Sequence, residues 1–429
     1  MFDPEILIGK LPPMLSGGRL QRAMEVLPPY EETVKEKEIT DRLIGLSDLY
    51  QIYLPSQMSQ EIYSKLYLAM LRALRKKGTR LAIQQSNENY RGICETGKNR
   101  SLSYEYTGIL GGSDSFTIIG TSGIGKSSAI AMSIRLMMEN PVLELTNPYM
   151  RVLPCVVVQC PFDSSVKGML LEILRKVDEV LETKYYEGAL RARSTTDMLI
   201  GSVSQVCLNH VGLLVVDEIQ NVAGSKNGKS LIGSLTQLIN NSGISICMVG
   251  TPESTAFFEQ AMPLARRSLG LQYGPMPYGK EFSSFCEVLF SYQYVREPSF
   301  LSGQIIEWLY EHSAGVVSSV VSLIHDAQEI AILDGREKLD IGTLNDAYRQ
   351  RMKLLHGYIR PTVVHNGQCS APKKKQAAGA YVQGASGVEN GNSDTEEHLI
   401  AGLVAAAKAE QENIVAILKN YMVVTEVGV

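Results

Sequence analysis

Two short stretches of this chain carry side chains whose types and spacing suit phosphate chemistry. The first, at residues 120–127, reads Gly-Thr-Ser-Gly-Ile-Gly-Lys-Ser and fits the pattern G-x-x-x-x-G-K-[ST] in full. Its glycines let the backbone curl so that N–H groups point at phosphate oxygens, and the start of the following helix adds partial positive charge. Lys126 can reach the β- and γ-phosphates, and the Ser127 hydroxyl can take one Mg²⁺ position. We therefore expect a nucleotide-phosphate site here rather than a chance glycine-rich turn.

The second stretch is a continuous apolar run from Leu213 to Val216 that ends in two carboxylates. Such a run suits a strand buried on both faces of a parallel sheet. Asp217 would then hold Mg²⁺, often through water, and Glu218 would polarise an attacking water as general base. The pair favours hydrolysis of ATP over phosphate transfer to a small molecule. The alternative is a strand that ends in two solvated carboxylates.

The residues expected to contact ATP and Mg²⁺ come from both stretches. They are Gly120, Thr121, Ser122, Gly123, Ile124, Gly125, Lys126, Ser127, Ser128 and Asp217. Among them, Ser127 and Asp217 are the expected metal ligands, because a hydroxyl and a carboxylate oxygen suit Mg²⁺.

The elements that must position these residues follow from hydrophobic patterning. Apolar runs predict strands, and they alternate with stretches of helical periodicity. The predicted strands are 115–119, 154–160, 213–217 and 245–249, and the predicted helices between them are 126–138, 165–182 and 230–240. From about 280 to 356 the pattern is wholly helical. This order predicts an α/β domain with a parallel sheet between helices, followed by a small helical domain.

The flanking regions have other patterns. Residues 1–55 are rich in Pro and Gly early on, which predicts an irregular arm that orders only against a partner. Helical spacing of apolar side chains predicts a helix from Ser56 to Lys77. Residues 361–392 have the composition of a linker. A final amphipathic helix at about 395–422 is interpreted as a docking peptide, with folding back onto the helical domain as the alternative.

Length and composition agree with several domains. At 429 residues the chain is long enough for two or three of them. The predicted divisions are an N-terminal extension at 1–110, an α/β ATPase domain at 111–278, a helical lid at 279–358, a flexible linker at 359–392 and a C-terminal docking helix at 393–429.

Charge and cysteine content narrow the class of protein. The net charge of −4 gives no sign of nucleic-acid binding by the whole chain, so any such surface must be a local patch. The seven cysteines are scattered, which predicts free thiols in a reducing cytosol. Neither a signal peptide nor a membrane-spanning apolar run is evident. We therefore expect a cytoplasmic protein without a membrane partner.

An α/β nucleotide domain followed by a helical lid resembles the AAA+ ATPases. In that class a polar residue at the end of another strand contacts the γ-phosphate or orients the lytic water, and by resemblance Thr251 takes this place, with Glu253 as a weaker candidate. Arg266 and Arg267 resemble the arginine finger that one AAA+ subunit inserts into its neighbour's ATP site. A guanidinium suits that role because it stays charged and can grip phosphate oxygens bidentately. The alternative is a surface arginine pair.

Four pieces of sequence together resemble the TnsC/TniB family, the AAA+ regulators of transposons that encode a multi-protein transposase. They are residues 120–128, 217–221, 249–253 and 264–267, and residues 49–58 resemble the region ahead of the ATPase domain in the TnsC branch. The resemblance implies a DNA-associated protein of the bacterial cytosol that binds ATP and assembles as a ring or helical filament on duplex DNA. It also implies that the protein links a target-site selector to the transposase, with hydrolysis driving disassembly. By resemblance, the C-terminal tail would contact transposase subunits and the ATPase surface the selector.

Family members contact DNA through the segment after the second core strand. Here the resemblance points to Lys167 first, and then to Arg191, Arg193, Thr195 and Thr196. A lysine with short hydroxyl side chains suits backbone phosphates and does not read base edges, so binding should be independent of sequence. For each residue, an ordinary place on the surface is the alternative.

One departure from the AAA+ pattern keeps other functions open. Many members carry a lid-helix arginine that touches the γ-phosphate, but the corresponding residues 313–320 contain none, so hydrolysis could be slow. An AAA+ nucleic-acid loader of the helicase-loader or replication-initiator kind usually has that arginine and often a winged helix after the lid. A signalling NTPase that binds only protein partners is the other alternative.

Overall fold

The computed structural model describes residues 3–77, 115–146, 149–222, 225–255, 258, 270–353, 364–365 and 368–369. By its contacts the chain divides into two units, Met1–Pro372 and Lys373–Val429. All the described residues belong to the first unit.

A six-stranded sheet forms the centre of the fold. Its strands are β1 Phe116–Gly120, β2 Leu143–Thr146, β3 Tyr149–Gln159, β4 Val211–Asp217, β5 Ser245–Gly250 and β6 Leu271–Tyr273. They lie in the order β2-β3-β4-β5-β1-β6, and every neighbouring pair is parallel except β2 and β3, which are antiparallel. The carboxyl ends of β1, β4 and β5 therefore meet at one edge, and the residues that follow these strands lie there.

The sheet confirms the four predicted strands and adds two that were not predicted. The four-residue β2 carries only a short alternation, in which Leu143 and Leu145 are buried and the residues after them are exposed. The three-residue β6 is too short for periodicity to reveal. Strand β3 begins at Tyr149, five residues before the predicted start at 154. The prediction began at Pro154 because proline is depleted inside sheets and usually marks a strand boundary.

Helices cover both faces of the sheet and build the lid. They are α1 Glu5–Ile8, α2 Gly17–Met24, α3 Ile39–Gly45, α4 Gln57–Lys77, α5 Lys126–Met137, α6 Val166–Leu181, α7 Tyr185–Arg191, α8 Thr196–His210, α9 Gly228–Ser242, α10 Lys280–Ser291, α11 Gly303–Ser313, α12 Val317–Leu333 and α13 Ile341–Arg351. The predicted helices of the α/β domain and of the lid are confirmed within the described residues.

Alternate residues of β4 show how the two faces are separated. Leu214 and Val216 lie in the hydrophobic core formed with α6, α8 and α9. Leu213 and Val215 lie in a second core, on the side of α4 and α5. All four side chains are completely buried, which explains why this strand reads as an unbroken apolar run. Helix α4 thus packs on the sheet itself, so a division at residue 110 separates it from the layer that it covers.

The expectation of an irregular N-terminal arm was wrong for the described residues. Its prolines and glycines lie between or at the ends of short helices, and apolar residues of these helices are buried. Leu7, Leu20 and Met24 pack in the core on the α4 side of the sheet. Further along, Leu46, Leu49 and Ile52 pack in the core of the lid. The arm therefore crosses from the α/β domain to the lid and buries apolar surface against both.

Two sets of polar contacts hold the N-terminal arm, one within the arm and one between the arm and the lid. Val26 and Tyr53 exchange both backbone N–H···O hydrogen bonds, each with an N···O distance of 2.9 Å. The completely buried Arg42 makes a bidentate contact with the Glu337 carboxylate, with N···O distances of 2.6 and 2.7 Å. Arg42 also donates to the Tyr294 carbonyl at 3.1 Å.

The C-terminal predictions fall almost entirely outside the described residues. Val364–His365 and Gln368–Cys369 pair as a two-residue antiparallel ladder within the predicted linker. The predicted docking helix at 393–429 lies outside the described part of the chain. The five cysteines whose side chains are described are free thiols, four of them buried, as predicted. Among the described helices none alone is long and apolar enough to cross a membrane, although the sharply bent pair α11–α12 passes that test together by length and composition.

Candidate functional site

The phosphate-binding loop follows β1 and turns directly into α5. Gly123 has a φ of +81° and Gly125, at the N-cap of α5, a φ of +94°, a region that side chains other than glycine rarely adopt. Gly120 has no room for a side chain, because a Cβ there would lie 2.8 Å from the Tyr273 carbonyl oxygen. These three glycines are required by backbone conformation or by close packing, as the motif predicts.

Lys126 is buried at the first position of α5. Its Nζ donates to the carbonyl oxygens of Gly120 and Thr121, at 2.7 and 2.9 Å. Burial lowers the pKa of Lys126, and the nearby carboxylates of Asp217, Glu218 and Glu253 act in the opposite direction. A cation is therefore held among three acidic groups, next to the loop whose N–H groups would bind phosphate.

Ser127 and Asp217 are brought together although ninety residues separate them in the chain. The Ser127 Oγ donates to Asp217 Oδ2 at 3.2 Å, so that a hydroxyl and a carboxylate oxygen face the same space. Both are oxygen ligands of the kind that Mg²⁺ prefers, and Mg²⁺ usually keeps several waters beside one or two carboxylates. These two residues fit a magnesium ion bound together with a nucleotide phosphate.

Glu218 follows β4 in an unusual backbone conformation. Its φ is +59°, and its backbone N–H donates to Asp217 Oδ1 at 2.8 Å. A non-glycine residue in this region is strained by about 1–3 kcal/mol, and such residues concentrate at functional sites. The Glu218 side chain is exposed. Its carboxylate is therefore accessible to water next to the phosphate-binding loop.

Thr251 and Glu253 lie just beyond the end of β5, which separates β1 from β4 in the sheet. The Thr251 hydroxyl is hydrogen-bonded to the Glu253 carboxylate, and this contact contributes most to lowering the pKa of Glu253. Glu253 also interacts electrostatically with Lys126. Glu253 therefore interacts with the Lys126 ammonium directly, and Thr251 is connected to it by its hydrogen bond to Glu253.

A cavity of about 1210 Å³ connects these groups with the lid and with the N-terminal segment. It is large enough for a nucleotide, because ligand pockets typically measure ~300–1,000 Å³. Residues 122–128, Asp217, Glu218 and Thr251 line it on the side of the sheet. Residues 49–59 except Gln51 also line it, and most of them belong to the stretch that resembles the region ahead of the ATPase domain in the TnsC branch.

The lid side of the cavity carries apolar and hydroxyl side chains at the start of α12, unlike the charged side chains on the sheet side. The first turns of α12 contribute Val317, Ser318, Val321 and Ser322. Ser318 touches the phosphate-binding loop directly, because its backbone N–H donates to the Gly123 carbonyl at 3.0 Å. A side chain on Gly123 would overlap the Ser318 hydroxyl. Within the described residues, the first turns of α12 bring no cationic side chain to the cavity, as the sequence of 313–320 indicates.

Sequence reasoning missed several lining residues. Lys280 at the start of α10 lines the cavity and is exposed. Tyr273 lines it from β6, and its hydroxyl donates to Glu61 Oε2 at 2.9 Å. Ser318 and Gln220 belong to the same cavity. Only Gln220 had a signal in the sequence, since it lies two residues beyond Glu218.

The remaining predicted residues are either outside the described part or away from the cavity. Arg266 and Arg267, the predicted arginine finger, lie outside the described residues. Lys167, Arg193, Thr195 and Thr196 are exposed around the starts of α6 and α8. Arg191 is also exposed but is paired with Glu187 at 2.9 Å, and Thr195 caps α8 by accepting from the Met198 N–H at 3.4 Å.

The starts of α6 and α8 face the same edge of the sheet as the phosphate-binding loop. Helix α6 follows the carboxyl end of β3 after a short loop. Helix α8 ends directly before β4, and its 15 residues span about 22 Å. Its beginning is thus carried back toward the carboxyl edge. The structure therefore places Lys167, Thr195 and Thr196 toward this edge and leaves their role as a proposal.

Comparison with known proteins places the central segment in a family. A family model described as AAA domain matches residues 111–258. The match covers the phosphate-binding loop, Asp217, Glu218 and Thr251. Residues 111–258 are therefore an AAA+ P-loop domain, which belongs to a class of nucleotide-hydrolysing ATPases. No curated protein matches the chain significantly.

Solved structures with a similar fold include two ORC proteins and a domain of a replication initiation protein. The Aeropyrum pernix ORC1 protein in complex with DNA is 15% identical, with a TM-score of 0.40 over 63% of this chain and 64% of that one, slightly under two thirds of its length. The Aeropyrum pernix ORC2 protein in ADPNP–ADP complexes is 15% identical, with a TM-score of 0.39 over 63% and 68%. Domain III of the Thermotoga maritima replication initiation protein DnaA is 16% identical, with a TM-score of 0.34 over 66% and 94%.

Proposed function

We propose that this chain, built around the AAA+ domain at 111–258, is an ATPase whose nucleotide state controls its assembly on duplex DNA. The observation that carries the proposal is the cavity in which the loop with Lys126 and Ser127 faces Asp217, Glu218 and Thr251. This arrangement provides a phosphate cradle, oxygen ligands for Mg²⁺ and an accessible carboxylate at one edge of one sheet.

In the proposed reaction, water attacks the γ-phosphorus of ATP. The new bond joins the water oxygen to phosphorus, the bond to the β–γ bridging oxygen breaks, and its electron pair leaves with ADP. Glu218 accepts the proton of the attacking water, while Lys126 balances negative charge on the phosphate oxygens. Ser127 and Asp217 would hold Mg²⁺, which supplies further charge neutralisation when bound. Arg266 and Arg267 would come from a neighbouring subunit.

The DNA-binding part of the proposal rests on the exposed residues around the starts of α6 and α8. Lys167 and Arg193 would contact backbone phosphates, with Thr195 and Thr196 as hydrogen-bond donors and Arg191 as a further cation. Assembly as a ring or filament would repeat these contacts along the duplex, because each subunit adds the same small patch. A net charge of −4 requires such a local patch for any DNA affinity.

The more specific proposal is a regulator of transposition of the TnsC/TniB kind. It is supported by the four stretches of resemblance and by the position of residues 49–58 on the nucleotide cavity. It is also supported by the absence of a cationic side chain at the described start of α12, which distinguishes this chain from typical loaders. In this role the protein would connect a target-site selector to transposase subunits, the latter through the C-terminal tail.

The test is fluorescence anisotropy with random-sequence duplex DNA, using an ATP analogue against ADP over a salt series. We expect salt-sensitive binding with the ATP analogue only. The double variant Lys167→Ala/Arg193→Ala should reduce the slope of log affinity against log salt by about two, because each phosphate contact contributes about one. Lys184→Ala is the matched control, since Lys184 is exposed and follows the far end of α6, whose last residue lies about 21 Å along the helix from Lys167.

The outcomes separate the alternatives. Electron microscopy of the bound sample distinguishes a filament from the closed ring of a loader. Hydrolysis of ATP without DNA affinity in either nucleotide state would contradict the DNA-binding proposal and favour a signalling NTPase. An equal loss of salt dependence in Lys184→Ala would show that the DNA patch is assigned to the wrong residues.

A further inference from the structure

Gln220 lies in a single turn of 3-10 helix, Ile219–Val222, directly after Glu218. The turn is anchored, because at most 1% of the surface of Ile219 and of Val222 is exposed. The Asn221 N–H donates to the Glu218 carbonyl at 3.1 Å, and the Asn221 side chain donates to the Cys160 carbonyl at 3.0 Å. The backbone that carries Gln220 is therefore fixed to the residue after β3 and to the hydrophobic core.

From this fixed position the Gln220 amide reaches back to the Glu218 carboxylate. Its Nε2 donates to Glu218 Oε2. The opposite amide orientation would place Gln220 Oε1 against a carboxylate oxygen, and two acceptors repel each other. The side-chain amide of Gln220 is therefore oriented with its Nε2 toward Glu218 and its Oε1 away from it.

The other end of the amide faces the end of β5. Gln220 Oε1 is buried and accepts no hydrogen bond from the described residues. It packs against Gly250, the residue before Thr251, because a Cβ on Gly250 would lie 3.2 Å from it. Gly250 thus leaves the space that the amide occupies. A buried acceptor without a partner costs about 1–3 kcal/mol, so this arrangement is not explained by stability.

Glu218 needs such a contact for general-base catalysis. Its side chain is exposed and has several rotatable bonds, whereas a general base must be held within hydrogen-bond distance of the water that it deprotonates. Because the backbone of Gln220 is fixed, its hydrogen bond restricts the Glu218 carboxylate to one position.

We propose that Gln220 is a positioning residue for ATP hydrolysis, which holds the Glu218 carboxylate in one position in the nucleotide cavity. This inference rests on the proposed ATPase function and deepens it. Gln220 acts through Glu218, so its removal lowers the rate of the chemical step and leaves nucleotide binding in place.

The primary test compares Gln220→Ala with Gln237→Ala in steady-state ATP hydrolysis and in titration with a fluorescent ATP analogue. Gln237 is an exposed glutamine on α9, and its substitution should change nothing. For Gln220→Ala we expect kcat to fall about tenfold, the usual effect of losing one hydrogen bond to a charged group, with KM and analogue affinity within about twofold of wild type. Gln220→Asn keeps the amide but shortens it, and we expect the same loss. Thermal unfolding shows whether each variant is folded.

A double-variant cycle with Glu218→Gln completes the test. If Gln220 acts through Glu218, then Gln220→Ala has no further effect on the residual rate once Glu218 is replaced. The same fold-loss in both backgrounds, or a higher kcat in Gln220→Ala alone, overturns the inference. Hydrolysis by wild type with an unaffected Gln220→Ala variant overturns this inference only. No hydrolysis by wild type overturns the proposed ATPase together with it.

Discussion

The two walls of the nucleotide cavity differ in chemistry, and the difference shows how each can respond to a nucleotide. The wall on the sheet side carries Lys126, Asp217 and Glu218, and the nearby Glu253 also acts electrostatically on Lys126. The wall formed by the start of α12 carries apolar and hydroxyl side chains, and touches the phosphate-binding loop through the Ser318 backbone N–H. Phosphate charge is therefore met by the sheet wall, while the lid wall responds through packing and one backbone hydrogen bond.

The lid is fastened to the N-terminal segment by direct polar contacts. Arg42 binds Glu337 bidentately, and the Tyr30 hydroxyl donates to the Gln293 carbonyl at 2.6 Å. The Tyr292 hydroxyl donates to the Pro28 carbonyl at 2.9 Å. These contacts need no nucleotide. We infer that these contacts help to set the position of the lid relative to the N-terminal segment.

The largest expected effect on nucleotide affinity is that of Lys126→Ala, because it removes the buried cation of the sheet wall. Losing charge-assisted hydrogen bonds of this kind weakens binding about 100-fold. The matched control is Lys280→Ala, which removes an exposed cation from the same cavity and should change affinity less than about tenfold, since exposed charges are screened. Titration with a fluorescent ATP analogue measures both. A greater loss in Lys280→Ala would reverse the proposed difference between the walls.

A smaller effect is expected where the walls touch. Gly123→Ala places a side chain on the Ser318 hydroxyl and adds backbone strain at a φ of +81°. Gly125→Ala adds comparable strain at a φ of +94°, but its Cβ meets nothing within 4 Å. We expect each variant to lose about tenfold in nucleotide affinity through strain of ~1–3 kcal/mol.

The lid contact is tested by adding Ser318→Gly to each glycine variant. This change removes the hydroxyl and keeps the backbone N–H that donates to Gly123. It should restore part of the affinity to Gly123→Ala and none to Gly125→Ala. Equal rescue of both, or of neither, would show that Ser318 does not set the distance between the lid and the loop. Ser318→Gly alone should bind nucleotide nearly as wild type does.

The sheet wall could be predicted from the sequence, since its chemistry is concentrated in short motifs. Residues 120–127 and Asp217-Glu218 have fixed spacing, and the buried β4 reads as an unbroken apolar run. The helical lid was also predictable in class, because helical periodicity extends through it. In these regions local pattern and tertiary structure agree.

The lid wall and the N-terminal segment could not be predicted in detail, for physical reasons that differ. The contact of Ser318 with Gly123 is made by a backbone N–H, which every residue except proline carries. The segment before residue 55 reads as irregular because its helices are short, and their stability comes from distant contacts such as Arg42 with Glu337. Patterns in one stretch of sequence do not report a partner almost three hundred residues away.

The smallest effect on nucleotide affinity, within about threefold, is expected for Glu337→Gln, which acts on the lid far from the phosphates. It leaves the fully buried Arg42 without its anionic partner, and breaking a buried pair in this way costs about 3 kcal/mol of unfolding free energy. The exposed pair of Glu179 with Arg175 is the control, and Glu179→Gln should cost less than about 1 kcal/mol. Urea unfolding measures both, and equal costs would contradict a special role for the Arg42 contact.

The stability that Glu337 contributes should depend on pH, and the direction of its pKa shift predicts how. The hydrogen bond from Arg42 holds the pKa of Glu337 below its usual range, despite partial burial, which acts the other way. A carboxyl group with a lowered pKa contributes stability that is fully present above its unfolded-state pKa of about 4.3 and is lost as pH falls through its folded-state value. The difference in unfolding free energy between wild type and Glu337→Gln should therefore be constant near neutrality and shrink below about pH 4. A difference that grows on acidification would mean that Arg42 and Glu337 do not hold the lid to the N-terminal segment as an ion pair.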